Sequence, residues 1–267
     1  MSIVRSIIRS PIRSAIRSVL GASAGSLYGN DMVLVMATTT PDETVTIPCQ
    51  NVGIFDASID WGDGSTSAIT AYNDADLAHV YADADDHIIR VSKTFPNIYF
   101  ANGGDKLKLK QVLQLGSTGL TRLNNAFFGC DNITEFRGGV VDTSAVTNMS
   151  RMFQNCIRLT TPNVSGFVTS AVTSMSFMFR NCPVLTDAAI DGWDIEAVTS
   201  FTEFMTATTI PTARYDDTLV AWDAQNPVDG LSVDFGGSKY TLGSDAATAR
   251  ANLVSNDGWV LSDGGSV

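Results

Sequence analysis

The chain has few of the residues on which catalysis and cross-linking usually depend. Its 267 residues include 2 histidines and 4 cysteines, and only 17% are charged. No uninterrupted apolar run approaches the roughly 18 residues that a membrane-spanning helix needs. A hydrophobic content of 44% argues against intrinsic disorder. These features predict a soluble, folded protein of about two modules with no membrane insertion.

Positive charge is also scarce outside the first twenty residues. The chain has 17 basic and 28 acidic residues, for a net charge of −11. Residues 1–20 carry four arginines and no acid, so the remainder carries −15. Because an acidic surface repels phosphate backbones, we expect no nucleic-acid partner.

Residues 1–20 form a basic arm built of four-residue units. An arginine returns at every fourth position, which excludes the uncharged core of a signal peptide. On a helix, isoleucines would form one stripe beside the arginines, with Pro11 as a kink. We expect the arm to dock on another protein, with a membrane-surface helix or an unstructured leader as alternatives. The predicted anchor residues are Arg5, Ile8, Arg9, Ile12, Arg13, Ile16 and Arg17. Residues 21–31, rich in Gly, Ser and Ala, are expected to be a flexible linker.

Residues 32–94 have the alternating pattern of half-buried strands. Segments 45–48 and 57–60 show it most clearly. The run Trp61-Gly62-Asp63-Gly64, followed by His79-Val80-Tyr81, resembles the WGDG and H-x-Y signatures of polycystic-kidney-disease-type (PKD) domains. This resemblance implies a small Ig-like β-sandwich with the tryptophan in its core.

Aspartates are concentrated in the loops of this segment. Eight lie between Asp56 and Asp86, but no EF-hand spacing with a trailing glutamate is present. We interpret them as solvated turn residues, and calcium binding by these loops stays open. No metal site and no cofactor are expected.

Internal repetition is the strongest signal in the chain. Cys130, Cys156 and Cys182 are 26 residues apart, and 146–160 aligns with 172–186 without a gap. Segments 120–134 and 198–210 are weaker copies, the last with Thr208 at the cysteine position. The pattern predicts a solenoid of about four repeats over residues 120–210.

Each repeat is expected to contain one short helix or helical turn and one strand. Val146, Met149, Met152 or Phe153, and Cys156 have helical spacing, and residues 159–164 are predicted to form a strand. The cysteines are interpreted as a buried column, not as disulfides, because they recur at one repeat position. A serine at Cys156 is therefore expected to leave its hydroxyl unsatisfied.

The M-F-x-x-C-x-x-L-T signature, followed by an S-x-V-T step, resembles the BspA-like leucine-rich-repeat proteins of bacterial surfaces and phage virions. The resemblance extends from about residue 44 to the end of the chain. It implies a junction and N-terminal cap over 95–119, repeats over 120–210 and an α/β C-terminal cap over 211–267. The fold class expected is mixed α+β: basic arm, PKD-like sandwich and short leucine-rich-repeat solenoid.

Catalytic signatures such as G-x-S-x-G, a Walker loop or H-E-x-x-H do not occur, so a non-enzymatic protein is expected. Carboxylates at Asp142, Asp194 and Glu196 are the alternative, as glycan-cleaving groups. The candidate receptor surface consists of Thr161, Asn163, Phe167 and Trp193, which offer hydrogen-bonding groups and stacking faces. The alternative for the two aromatic residues is that they pack inward, since they recur at a 26-residue interval.

The resemblance implies work outside a producing cell, yet no export signal is found. We therefore expect a protein on the virion exterior: a phage tail fibre or receptor-binding protein that binds a host glycan or protein. Residues 1–20 would anchor it to tail or capsid proteins, and a homo-oligomer is left open. A head fibre or capsid decoration protein is the first alternative, and a bacterial surface adhesin is the second.

Overall fold

The computed structural model describes residues 28–267. All seven predicted anchor residues therefore lie outside the described residues. The described part is mixed, mostly sheet with two α-helices, as predicted at that level. Its strands are β1 (Met32–Ala37), β2 (Glu43–Thr46), β3 (Asp56–Asp60), β4 (Thr66–Ile69), β5 (Ala78–Tyr81), β6 (Asp86–Thr94), β7 (Leu109–Gln114), β8 (Glu135–Phe136), β9 (Ser232–Asp234) and β10 (Val260–Ser262). Its helices are α1 (Thr212–Asp223) and α2 (Asp245–Ser255), and Ala75–Leu77 is one 3-10 turn.

A six-stranded sheet organises the N-terminal half in the order β4-β3-β6-β1-β7-β8. Strand β1 lies inside it, antiparallel to β6 and β7, with Met32 opposite Val91. All six β1 residues are buried because both faces of the strand are covered. Leu34 faces the main core, whereas Val33 and Val35 face a smaller cluster on the other side.

A second, two-stranded sheet is formed by β2 and β5, which pair antiparallel. Val45 and Tyr81 from this pair are buried in the main core. The Tyr81 hydroxyl donates to the Trp61 carbonyl at 2.7 Å, which ties this sheet to the end of β3. Strand β3 includes the predicted segment 57–60, whereas β2 ends at Thr46 and includes only the first half of the predicted segment 45–48.

The main sheet does not end where residue 95 was predicted to begin a new unit. Strand β7 pairs antiparallel with β1 and parallel with β8. Beyond β8, Gly116 and Val141 form a parallel bridge. One hydrophobic cluster extends from Met32 in β1 to Trp259 near the C-terminus. The strands of residues 32–94 and the repeats therefore share a core.

The repeats are stacked coils of tight turns with no α-helix, and within residues 120–210 the predicted strand occurs in the first repeat alone, as the two residues of β8. Alternate N–H groups donate to the next repeat: Met149 to Ser174, Arg151 to Ser176 and Phe153 to Met178, each at 2.9 Å. The intervening N–H groups donate three residues back: Met152 to Met149, Gln154 to Arg151 and Cys156 to Phe153. Positive φ angles of 57° at Arg151 and 59° at Asn155 interrupt right-handed helix. Residues 159–164 contain no strand.

The C-terminal segment covers the apolar end of the stack. Phe201 in the last repeat forms a parallel bridge with Val233 of β9, and β9 pairs parallel with β10. Trp222 of α1 packs on Phe201, with ring centroids 5.1 Å apart. This covering buries side chains that the last repeat would otherwise expose. Within residues 28–267, no helix combines the length and apolar character needed to cross a membrane.

Candidate functional site

The inner side of the repeats is a stack of aromatic rings. Phe127, Phe153 and Phe179 follow one another with ring centroids 5.8 and 5.5 Å apart. Phe167 and Trp193 form a second stack at 6.3 Å and 2° between ring planes. These two side chains are only 5% and 1% exposed, so they are not available to a receptor. The prediction that Phe167 and Trp193 belong to a receptor surface is therefore wrong. The alternative, that they pack inward, is what the structure has.

The other two predicted receptor residues, Thr161 and Asn163, lie on the surface. The Asn163 backbone N–H donates to the Phe136 carbonyl at 2.8 Å, and the Asn163 side-chain oxygen accepts from the Ser165 hydroxyl at 2.9 Å. These bonds hold the turn between two coils. Without Phe167 and Trp193 beside them, Thr161 and Asn163 lose the stacking faces expected to complete a binding site.

The cysteine column has the place predicted for it, and all four cysteines are free. Two of the column's thiols donate to a carbonyl 29 residues earlier: Cys156 to Phe127 at 3.2 Å and Cys182 to Phe153 at 3.0 Å. Burial raises the pKa of the Cys182 thiol to about 12 and that of Cys156 well above its ordinary value. These thiols are therefore neutral packing groups and not nucleophiles.

Thr208 corrects the expectation for serine in this column. It occupies the fourth position, and its hydroxyl donates to the Phe179 carbonyl at 2.6 Å. The same oxygen accepts from the Cys182 N–H at 2.9 Å. A hydroxyl is thus satisfied here by the carbonyl that a thiol uses elsewhere.

The exposed edge of the turns carries a cluster of four side chains, here called the turn-edge patch: Arg151, Phe177, Arg180 and Glu203. The guanidinium of Arg151 lies over the Phe177 ring, 4.7 Å from its centroid. Arg180 lies 5.8 Å from the same centroid and pairs with Glu203 at 3.0 Å. Phe177 is only partly buried, unlike Phe167 and Trp193. The patch therefore offers the aromatic and hydrogen-bonding groups that the predicted surface lacks.

Backbone geometry explains where the patch lies. Its central position is held in successive repeats by Asn125, Arg151, Phe177 and Glu203, with φ between 49° and 60° at all four. A bulky aromatic residue at positive φ is strained, so the fold must over-determine that conformation. Repetition in the sequence did not predict this position, because the criterion was the same residue type at a 26-residue interval. The signal that could have identified it is a position between recurring core residues whose residue type changes in every repeat.

The carboxylates considered for glycan cleavage are engaged in turns. Asp142 accepts from the Ser144 hydroxyl at 2.7 Å and from its N–H at 3.0 Å, and these bonds lower the pKa of Asp142. Asp194 accepts from the Glu196 N–H, and Glu196 accepts from the Asn226 N–H. A general acid needs a raised pKa, which is opposite to the shift of Asp142.

A serine, a histidine and an aspartate meet at the WGDG turn, but not in the order of a catalytic relay. Asp63 lies 2.7 Å and Ser65 lies 3.4 Å from the same histidine nitrogen, Nε2 of His79. In a relay the aspartate and the serine contact opposite ring nitrogens. His79 also stacks on Trp61 at 5.0 Å. This cluster holds the turn against the core.

Acidic groups line two clefts, one of about 310 Å³ beside Tyr81 and His87 and one of about 590 Å³ between α1 and α2. In the second cleft, Asp191 pairs with Arg214 and Asp216 accepts from Thr241. In the part of the chain that the structure describes, no group of three or more His, Cys, Asp or Glu residues could hold a metal ion.

The described residues thus define a protein of stacked 26-residue repeats with a covered end and a side-chain patch on the turn edge. Residues 106–239, half of the chain, match the family described as "Mycoplasma protein of unknown function, DUF285", and the chain belongs to this family. This membership agrees, at a coarse level, with the BspA-like resemblance of the repeats. No curated protein and no solved structure matches the chain.

Proposed function

We propose that this protein is a non-enzymatic attachment protein on the exterior of a phage virion, of the tail-fibre or receptor-binding type. Its repeats would contact the host surface, and residues 1–20 would anchor it to tail or capsid proteins. The turn-edge patch is the observation that carries this proposal. Partly exposed arginine and aromatic side chains on a rigid scaffold are the groups that recognition surfaces favour.

The fold proposed to present this surface is a short leucine-rich-repeat-type solenoid preceded by a PKD-type sandwich. Parallel bridges join Asn148 to Ser174 and Ser174 to Ser200 in successive repeats, which supports the solenoid. The sandwich is supported by the β2–β5 pair beside the main sheet and by buried Trp61. A rigid stack of this kind holds surface side chains at fixed spacing, and fixed spacing limits the entropy lost on binding.

A bacterial cell-surface adhesin is the second candidate. The family description names Mycoplasma, a bacterial genus, and that description favours a bacterial protein. Both candidates use the repeats in the same way and differ in the attachment of the chain. A head fibre or decoration protein remains the rival within the virion.

Competition for adsorption tests the proposal. Purified full-length protein, added in excess to host cells, should reduce adsorption of the phage particles that carry it, and mass spectrometry should find the chain in those particles. Unchanged adsorption by particles that contain the chain would favour a head fibre. Detection of the chain on bacteria but not in particles would favour the adhesin. Oligosaccharides released from host polymer would overturn the non-enzymatic assignment.

A further inference from the structure

Charge is distributed unevenly along the described chain. Residues 28–105 and residues 181–267 each carry a net charge of −10. Between them, residues 106–180 contain eight basic and three acidic residues, for a net charge of +5. Because successive repeats are stacked, this net positive segment, here called the basic band, lies between two acidic regions of the chain; Lys108 within it pairs with Glu43 and Asp105. Arg151 and Arg180 of the turn-edge patch belong to the band.

Arg151 is the member of the patch whose charge is not balanced. Among residues 28–267 it takes part in no ion pair, whereas Arg180 pairs with Glu203. The Phe177 ring covers one face of the Arg151 guanidinium. Stacking of this kind uses the face of the guanidinium and leaves its N–H groups, which lie in its plane, able to donate. The ring therefore orients a two-pronged donor before any ligand arrives.

We propose that the turn-edge patch binds the anionic groups, carboxylate or phosphate, of a host surface polysaccharide. Arg151 would donate two hydrogen bonds to one anionic group, in the geometry that guanidinium and carboxylate or phosphate share. Arg180 would supply a second, partly compensated positive charge. This inference rests on the proposed function for its biological setting, but the binding chemistry rests on the patch alone.

The acidic regions on either side define which polyanion fits. A wide nucleic-acid duplex that crosses the band would also face them and be repelled. A thin polysaccharide chain can contact the band alone. At 0.15 M salt the screening length is about 8 Å, so the distant acidic regions are screened more than a direct contact. We expect binding to be strongest at intermediate salt and to weaken at both very low and high salt.

Variants that keep the fold can be chosen because the position equivalent to Arg151 and Phe177 holds an asparagine, Asn125, in an earlier repeat. Asn125 has the same positive φ as Arg151 and Phe177, so Arg151→Asn and Phe177→Asn should keep the turn. Glu203→Gln releases Arg180 from its ion pair. Arg158, an exposed residue of the basic band outside the patch, provides the matched control Arg158→Asn.

The experiment measures affinity of the full-length chain for polygalacturonate, for polyglycerol phosphate and for neutral dextran. We expect binding to at least one of the two anionic polymers and none to dextran; the polymer bound identifies the anionic group. Arg151→Asn should weaken binding by about tenfold or more, which is the effect of losing charge-assisted hydrogen bonds. Phe177→Asn should weaken it less, Glu203→Gln should strengthen it, and Arg158→Asn should change it by less than about twofold.

Three results would overturn the proposal: no binding to either anionic polymer, equal losses in Arg151→Asn and Arg158→Asn, or tighter binding to duplex DNA than to both polymers. Adsorption competition separates this proposal from the proposed function. If Arg151→Asn competes as well as the parent protein, the patch proposal fails and the function stands. If the parent binds polymer through Arg151 yet does not compete, the function fails and the patch stands.

Discussion

At the scale of single residues, one repeat position accepts either a thiol or a hydroxyl with the same kind of hydrogen bond. This position forms the column of Cys130, Cys156, Cys182 and Thr208. Sulfur and oxygen both donate to a carbonyl in the preceding repeat. The position therefore requires a small side chain with one donor. A buried hydroxyl costs stability only where no partner is within reach, and here a carbonyl is within reach.

Cys156→Ser should therefore change the free energy of unfolding by less than about 1 kcal/mol, because serine can donate to the Phe127 carbonyl. Cys156→Ala should cost more, about 1–2 kcal/mol, since it removes the packing atom and leaves that carbonyl without its partner. Urea denaturation of the three proteins measures the order. A serine variant less stable than the alanine variant would contradict this explanation. As a control, a reducing agent should not shift the midpoint, because the thiols are free.

At the scale of the element, hydrogen bonds between neighbouring repeats take the place of the hydrogen bonds of an α-helix. The apolar residues between Val146 and Cys156 have helical spacing, and they are buried as that spacing predicts. Their N–H groups nevertheless alternate between their own turn and the next repeat. A second left-handed position recurs four residues after the patch position and holds Gly129, Asn155, Asn181 and Ala207. Three of these residues are glycine or asparagine, the two types that tolerate positive φ best. The local sequence therefore favours the turn at this position.

Ala207 is the exception in that series, which makes it a test of the turn. It is exposed, with φ of 58°, so Ala207→Gly should relieve strain without opening a cavity. We expect the free energy of unfolding to rise by about 0.5–1 kcal/mol, the penalty of an L side chain in this region less the added entropy of glycine in the unfolded chain.

Ala145, an exposed alanine outside the positive-φ residues, provides the comparison. Ala145→Gly should lower the free energy of unfolding, because glycine there gains chain entropy on unfolding and relieves no strain. Thermal denaturation distinguishes the two variants. Equal destabilisation of both would mean that Ala207 is not strained.

At the scale of the whole molecule, one core joins the strands of residues 32–94, the repeats and the C-terminal segment. Strands β7 and β8 connect the first two, and Phe201, Trp222 and Val233 connect the repeats to the cover. A stack of four short repeats has two ends that cannot bury their apolar faces alone. Here residues 95–114, which include β7, pair with the first repeat at one end, and α1 with β9 covers the other.

Removal of residues 1–20 should therefore leave a folded protein, since the main core extends from Met32 to Trp259. Under the proposed function, the truncated protein should no longer enter virions. Circular dichroism and thermal denaturation measure the first result, and particle composition by mass spectrometry measures the second. A scrambled arm of the same composition is the control for charge alone. Normal incorporation of the truncated protein into virions would contradict the proposal that residues 1–20 are the anchor.

The 26-residue recurrence of apolar side chains at helical spacing predicted part of the core, because burial at equivalent depths selects the same residue types in every repeat. Cys156, Phe153 and Met149 could be assigned to the interior on that evidence. Only the tertiary structure decided that these residues lie on turns, since the competing hydrogen bonds come from carbonyls about 25 residues away. It also decided that Phe167 and Trp193 stack inward. Local spacing cannot distinguish this outcome from a receptor surface, because a core position and a repeated surface position have the same period.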